Sequence, residues 1–301
     1  MLNLFNKFFS KEKYYNQKVI EKDKIKRKKY IETIRPRLEL ILKNIQKKSI
    51  SFLHSGHLGD IIYSLPVIKE ISKNKKCILY LEANKKIINN QDNSHPFGNL
   101  FLTTSAVNKI IPLLRKQNYI DSVSIYNQEL VDIDLNFFRE LGINFNTDSP
   151  RWYFHLTGIH CNLNVPYIFV RKHKNIKNKI VILRSARRQN KLINYNFLCN
   201  YKDLLFVGLK EEYLLLKKEL PFLDYYQVHN FLELAEIINS CKIFIGNLSF
   251  GYSIAEALKV PRLLESQPDS PIVNPSGDNA YEFYFQEHFE YLFKKLISKF
   301  N

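Results

Sequence analysis

No stretch of this 301-residue chain approaches the roughly 18 to 20 consecutive apolar residues needed to span a bilayer, which excludes an architecture built on membrane-spanning helices. The start, Met1-Leu2-Asn3-Leu4-Phe5-Asn6-Lys7, lacks the long apolar segment and small-residue cleavage site of a secretory signal, so a soluble, cytoplasmic protein is expected. Cysteine is scarce. The four cysteines at 77, 161, 199 and 241 lie far apart and form neither a CxxC motif nor a disulfide framework, which suits a reducing compartment. Walker loop, HExxH pair and Cys-His nucleophile pairing are all missing, as are internal repeats and low-complexity tracts in the core. With 45% hydrophobic and 25% charged residues the chain can bury one large core or two medium ones, and a disordered chain is excluded.

Acidic residues are in deficit, and the net charge is +16. Its distribution matters more than its size. Residues 1–48 hold 15 Lys or Arg against 5 Asp or Glu, a net of +10, while the other 253 residues carry only +6. The smaller excess is ordinary for a domain that handles phosphorylated ligands or works near an anionic surface. Within the basic extension, Leu4, Phe5, Phe8 and Phe9 recur at helical spacing beside Lys7 and Lys11. Ile31, Ile34, Leu38, Ile41 and Ile45 are spaced 3, 4, 3 and 4, with Pro36 expected to kink that helix or start a new one. Two readings stay open: an interfacial anchor on anionic lipid, or an amphipathic helix packed on the domain behind it with its Lys face solvated. Nucleic-acid binding by this segment ranks last.

From residue 49 short β-rich runs alternate with helical stretches. Strands are expected at Ile50–His54, Cys77–Leu81, Ser122–Tyr126, Tyr167–Val170, Ile180–Ser185, Leu204–Gly208, Tyr225–Val228, Ile243–Gly246 and Arg262–Glu265. Helices are expected at Ile61–Ser72, Lys210–Leu220, Leu232–Ser240 and Tyr252–Lys259. Such alternation implies an α/β architecture of parallel sheets covered on both faces, doubly wound and Rossmann-like. The basic stretch Arg171–Lys179 has no periodicity and precedes a fresh strand, so two lobes are expected, 49–172 and 173–279. A final helix from about Ala280 to Ser298, in the segment 280–301, is long enough to pack back on the first lobe.

Two segments carry chemistry. In residues 52–71 a strand ends at His54, a loop with Gly56, His57 and Gly59 follows, and Asp60 stands at the start of an apolar helix. Glycines there let the backbone approach a ligand, and the helix start offers unpaired N–H groups. Asp60 reads equally as a plain helix cap. In residues 242–265 a strand runs into Gly246-Asn247-Leu248-Ser249-Phe250-Gly251, and a helix follows through Tyr252, Ser253 and Glu256 to Val260-Pro261. Small residues and helix N–H groups suit a diphosphate, and Glu256 is the candidate to accept hydrogen bonds from ribose hydroxyls. His54 and His57 flank the first loop without a third metal ligand nearby, so no metal is expected. His155, His160 and Cys161 read as interlobe packing, and Asp132 and Asp134 as exposed residues on a strand.

Taken together, Gly59-Asp60-Ile61-Ile62-Tyr63-Ser64-Leu65-Pro66 and the frame of Gly246-Asn247, Ser249, Ala255-Glu256-Ala257-Leu258 and Val260-Pro261 resemble the lipopolysaccharide heptosyltransferase family of GT-B glycosyltransferases, glycosyltransferase family 9. The resemblance runs through most of residues 49–275 and excludes the basic extension. It implies a GT-B enzyme with two lobes, a nucleotide-sugar co-substrate in the second, a glycan or lipid-linked acceptor against the first, and no cofactor or metal. It implies inversion in one displacement, with Asp60 as general base. It also implies that Arg184, Ser185 and Lys191, in the loop IVILRSARRQNK, face the donor diphosphate, by bidentate contact for Arg and as a point charge for Lys. Leu248 stands where the family usually has Asp, Phe250 where it has Gly, and Ser253 where a His often sits. These departures leave the donor sugar open and give a second reading, a catalytically silent GT-B module that binds nucleotide-sugar or glycan as a scaffold.

Overall fold

The computed structural model describes residues 11–87, 95–143, 146–267 and 269–300. Residues 1–46 form one unit and 47–301 a second. In the first, α1 (Lys11–Lys29) has no buried residue, and a π-helical turn at Tyr30–Ile34 leads into α2 (Arg35–Asn44). Pro36 lies in the first turn of α2, where its missing N–H costs nothing, so it starts a helix as expected. The aromatic stripe Leu4, Phe5, Phe8 and Phe9 lies outside the described residues.

The second unit is built on two parallel sheets. The first has the order β3 (Ser122–Ile125), β2 (Lys76–Leu81), β1 (Ser49–His54), β4 (Ile133–Asp134). The second has the order β10 (Ala280–Phe283), β9 (Arg262–Glu265), β8 (Ile243–Asn247), β5 (Ile180–Leu183), β6 (Leu204–Val207), β7 (Asp224–Tyr226). Every pair is parallel. The apolar runs Ile180–Leu183 and Leu204–Val207 are buried throughout, as strands covered on both faces must be. In each sheet the first strand of the unit lies between its successor and a later strand. Chain direction therefore reverses beside β1 and beside β5, and a ligand crevice opens at the carboxyl ends of those strands.

The helices are α3 (Leu58–Ile71), α4 (Thr104–Leu114), α5 (Ser149–Thr157), α6 (Lys210–Lys217), α7 (Phe231–Asn239), α8 (Phe250–Leu258) and α9 (Gln286–Ile297). Helices α3 and α4 of the first sheet pack on α8 and α7 of the second. Three expectations are corrected. The last helix is shorter than expected, because residues 280–283 pair with β9 as a strand. It also packs on the second sheet rather than the first: Phe289, Phe293 and Leu296 share one core with Ile180, Leu204 and Phe206, and Phe289 stacks on Phe283 at 4.0 Å. The link back to the first lobe is made instead by the segment between β9 and β10. There Ser149 N–H donates to the Ile272 carbonyl (2.8 Å) and Asn274 N–H to Asp148 (3.0 Å). Gly277 passes that segment at φ +85°, where a Cβ would lie 2.8 Å from the Asn164 carbonyl. Finally, Tyr167–Val170 is not a strand, since the N–H groups of Tyr167 and Ile168 both point to the Ala257 carbonyl at the end of α8.

Candidate active site

At the end of β1 the loop Ser55-Gly56-His57 turns into α3, and Asp60 lies in the first turn of that helix. His57 is the N-cap and makes no side-chain capping bond. Asp60 does not cap the helix either: its Oδ2 accepts from Arg139 Nη2 at 2.8 Å. The Arg139 guanidinium lies 4.6 Å from the Phe101 ring and 4.4 Å from the Phe138 ring, and its Nη1 donates to Asn136 Oδ1 at 3.2 Å. Asp134 Oδ1 holds Asn136 through the latter's backbone N–H (2.9 Å) and amide (2.7 Å). The Asp60 carboxylate is thus oriented through Oδ2. Gly56 makes this possible, because a Cβ there would come within 2.4 Å of Arg139 Nη2 and 2.7 Å of His54.

A second chain of bonds fixes the backbone of Asp60. Gly56 N–H donates to His54 Nδ1 (2.9 Å), which puts the imidazole proton on Nε2, bonded to Tyr153 Oη at 2.9 Å. Tyr153 then donates to the Asp60 carbonyl at 3.0 Å. Burial, reinforced by the nearby Arg139 cation, holds His54 well below the ordinary imidazole range, so it works as a neutral strut. His57 is partly exposed, lies 4.4 Å from the His95 ring and 5.3 Å from Phe101, and is also held low. Burial dominates that shift, with Asp60 opposing it and the cations of Arg139 and Arg187 adding to it. Arg187 belongs to the loop after β5.

In the second lobe Asn247, fully buried at the end of β8, accepts from Ser185 N–H (2.8 Å) and donates to the Ser185 carbonyl (2.7 Å), tying the end of β8 to the loop after β5. The first lobe repeats the device, with Asn136 Oδ1 accepting from Ser55 N–H at 2.8 Å. Ser249 caps α8 by accepting from Tyr252 N–H (3.3 Å). Gly251 lets α8 close on β5, since a Cβ would lie 2.3 Å from Leu183. Ser253 Oγ donates to the Phe250 carbonyl and stands 4.0 Å from where a Gly59 Cβ would be. The two loop-helix junctions singled out in the sequence therefore meet, Gly59 and Asp60 on one side and Ser249 to Ser253 on the other. Lys191 is exposed on the loop after β5, where Arg188 bonds Ser270 (3.0 Å).

Two expected ligand residues lie elsewhere. Arg184 is 5% exposed, and its guanidinium is engaged by both oxygens of fully buried Glu265 (2.7 and 3.0 Å) and by the carbonyls of Asn190 and Ile193. It is a core ion pair and does not face a diphosphate. Glu256 is 3% exposed, with Oε2 accepting from Arg262 (2.7 Å) and Oε1 from Lys259 and Ser276. Its oxygens are engaged inside the protein and do not reach a ribose. The carboxylate that does stand at the second crevice is Glu212, near the start of α6, where Oε1 accepts from Ala186 N–H at 3.0 Å. Sequence reasoning missed Glu212 because LKEEYLLL reads as an ordinary helix, and Arg139 because NFFREL carries no motif. Asp132, expected to be exposed, instead accepts from Ser51 N–H and Oγ (2.9 Å each) and ties β1 to its neighbour. Among the described residues no group of His, Cys, Asp and Glu is placed to hold a metal ion, and no helix is long and apolar enough to cross a membrane.

No protein-family model matches the chain, and no curated protein does. Solved structures do. A family 9 glycosyl transferase from Veillonella parvula is 10% identical, with a TM-score of 0.56 over 86% of this chain and 91% of that one. The E. coli heptosyltransferase WaaC with ADP-2-deoxy-2-fluoro heptose is 8% identical, with a TM-score of 0.54 over 82% of this chain and 99% of that one. The same enzyme with ADP gives 9% and 0.55 over the same shares. The chain has the GT-B fold of these glycosyltransferases.

Proposed function

We propose that this protein is a glycosyltransferase that moves a sugar from a nucleotide-sugar donor to a glycan or lipid-linked acceptor with inversion, Asp60 acting as general base. The observation that carries the reading is the meeting of an oriented carboxylate, Asp60, with the capped N-terminus of α8 across Gly59 and Ser253. In the proposed step the acceptor hydroxyl oxygen forms a bond to the anomeric carbon as the bond from that carbon to the diphosphate breaks. The hydroxyl proton passes to Asp60, and the electron pair leaves on the nucleotide diphosphate. The N–H groups at the start of α8, with Arg187 and Lys191, suit the negative charge that develops there. Glu212, rather than Glu256, would accept from the ribose hydroxyls, because it alone of the two carboxylates stands at the crevice beside β5. The Phe101 and Phe138 rings flank the Arg139 guanidinium and help to hold it on Asp60, which keeps the base oriented.

We propose further that α1, which has no buried residue and carries nine Lys or Arg against three Asp or Glu, makes peripheral contact with an anionic membrane at the cytoplasmic face. Its charged residues run all round the helix, so the contact would be electrostatic rather than an insertion. Single-turnover transfer from a nucleotide-sugar donor tests the main reading: Asp60→Asn should lose at least about 100-fold in rate, the order of a general base's contribution, with nucleotide affinity within a few-fold of wild type. Wild-type turnover by Asp60→Asn would overturn the assignment. Tight nucleotide binding without transfer to any acceptor would favour the donor-binding scaffold, for which Leu248 at the loop tip is the motive.

A further inference from the structure

A cavity of about 420 Å³ opens at the carboxyl ends of β8, β9 and β10, and no step proposed above uses it. Each strand contributes a lining residue within two positions of its end: Leu248 after β8, Gln267 after β9 and Phe285 after β10. Val273 comes from the segment between β9 and β10, Glu282 from β10 itself and His288 from the first turn of α9. The segment is fastened to the first lobe on both sides of Val273. The Ile272 carbonyl accepts from Ser149 N–H (2.8 Å), and Asn274 N–H donates to Asp148 (3.0 Å), so this wall stands without a ligand. Preformed pockets of this size, within roughly 300–1,000 Å³, hold one small molecule.

Strand order fixes which part of a donor reaches the cavity. Along the carboxyl edge of the second sheet the order is β6, β5, β8, β9, β10, with about 4.8 Å between neighbours. Glu212, proposed for the ribose, bonds Ala186 just after β5. The capped start of α8, proposed for the diphosphate, follows β8, and the cavity comes next. A donor laid along this edge, with its nucleoside at Glu212 and its diphosphate at Ser249, therefore carries its sugar one to two strand spacings further, into the cavity. The anomeric carbon stays at the near end, where Gly59 and Ser253 bring the start of α3 alongside α8.

The lining is chemically mixed. Val273 is buried and apolar, and the Phe285 ring is 49% exposed with His288 edge-on to it at 5.8 Å. Such surface suits the C–H face of a sugar ring, while Gln267, Glu282 and His288 can bond its hydroxyls. Leu248, next to the α8 cap and so at the near end, offers no hydrogen bond. A hydroxyl pressed against it would give up water for no partner, whereas a methyl group there would be favourably buried. The substituents nearest an anomeric carbon sit on ring carbons 2 and 5, and in a 6-deoxyhexose the one on carbon 5 is a methyl group. We infer that the cavity at the ends of β8, β9 and β10 receives the transferred sugar and that Leu248 makes it prefer a 6-deoxyhexose to the corresponding hexose. The inference rests on the nucleotide-sugar reading above.

The test is calorimetric titration of the full chain with ADP, UDP, GDP and dTDP, each alone and as matched hexose and 6-deoxyhexose conjugates, such as GDP-mannose and GDP-6-deoxymannose. For the nucleotide that binds, the 6-deoxyhexose conjugate should bind at least about tenfold more tightly than the hexose conjugate, the order of one unpaired hydroxyl. Leu248→Asp, which supplies an acceptor, should cancel or reverse that preference. Phe285→Ala and His288→Ala change exposed side chains, and each should weaken the conjugate about fivefold or more while leaving the free nucleotide within twofold. Nucleotide binding with equal affinity for the two conjugates, or with no response to Leu248→Asp, Phe285→Ala or His288→Ala, would overturn this inference and leave the nucleotide-sugar reading standing. A well-folded sample that binds none of the nucleotides would overturn both.

Discussion

Arg184 separates two physical roles that the sequence does not distinguish. In the resemblance it faces the donor diphosphate, whereas in the structure it neutralises Glu265. Glu265 is fully buried and accepts four hydrogen bonds: Arg184 Nε (2.7 Å), Arg184 Nη2 (3.0 Å), Asn190 N–H (2.6 Å) and Tyr195 Oη (2.9 Å). Arg184→Met removes two of them together with the only formal cation bonded to this carboxylate among the described residues. Breaking one side of such a pair leaves a buried, uncompensated charge and should cost about 3–5 kcal/mol, equivalent to a fall of about 10 °C in melting temperature. The double variant Arg184→Met/Glu265→Met removes both charges, so it should recover most of that loss, as buried pairs replaced by apolar residues commonly do. Urea unfolding followed by far-UV circular dichroism gives the stabilities, and calorimetric titration with nucleoside diphosphates gives the affinities. A single variant with wild-type stability and weakened nucleotide binding would put Arg184 in the donor site and refute the reasoning.

Gly56→Ala would drive a methyl group to 2.4 Å from Arg139 Nη2, so it should cost about 1–3 kcal/mol in stability and at least tenfold in transfer rate, read by unfolding and by initial rates. Glu256→Ala strands Arg262 and Lys259 without their shared carboxylate and should lower the urea midpoint while leaving nucleotide affinity within a few-fold, whereas Glu212→Ala should do the reverse. Burial lowers the pKa of Lys259 to about 8 against 10.5 for the free side chain, so between these values the unfolded chain holds a proton that the folded chain has released. Stability contributed by this group must therefore rise as the pH goes from 8 towards 10.5, and wild type should gain on Lys259→Met over that window in urea unfolding at fixed ionic strength. Deleting residues 1–46 should abolish flotation with phosphatidylglycerol vesicles while leaving binding to phosphatidylcholine vesicles at its low starting level.

What could be read from the chain followed the strength of the local signal. Ile180–Leu183 and Leu204–Val207 are apolar at every position, and only a strand covered on both faces explains them. Strand β4 is two residues long, and Tyr281 in β10 and Phe285 at the N-cap of α9 share a helical spacing with Phe289, so periodicity alone carried the last helix too far. The direction of that helix was illegible for a related reason. Its apolar stripe says that one face is buried but not against which sheet, and the choice is made by Phe283 stacking on Phe289. The loops at Gly56 and Gly246 were legible because glycine marks close approach. Arg139 and Glu212 were not, since a charged residue in a short polar helix has the same spacing whether it faces solvent or orients a base. Arg184 and Glu256 were misplaced because a sequence shows charges without their partners: Glu265 lies 81 residues from Arg184, and Ser276 lies 20 from Glu256.

The most direct measurement on the proposed function is a thermal-shift titration of the full chain with nucleoside diphosphates and their sugars, ADP-heptose included, followed by transfer assays with the nucleotide that binds. If the crevice beside β5 holds the donor, one nucleotide diphosphate at about 100 times its Kd should add about 2.7 kcal/mol to the stability and raise the melting temperature by several degrees. Glu212→Ala should weaken that shift, and its sugar should then be transferred in an Asp60-dependent reaction. A well-folded sample that shows no shift with any nucleotide at millimolar concentration would contradict a nucleotide-sugar transferase.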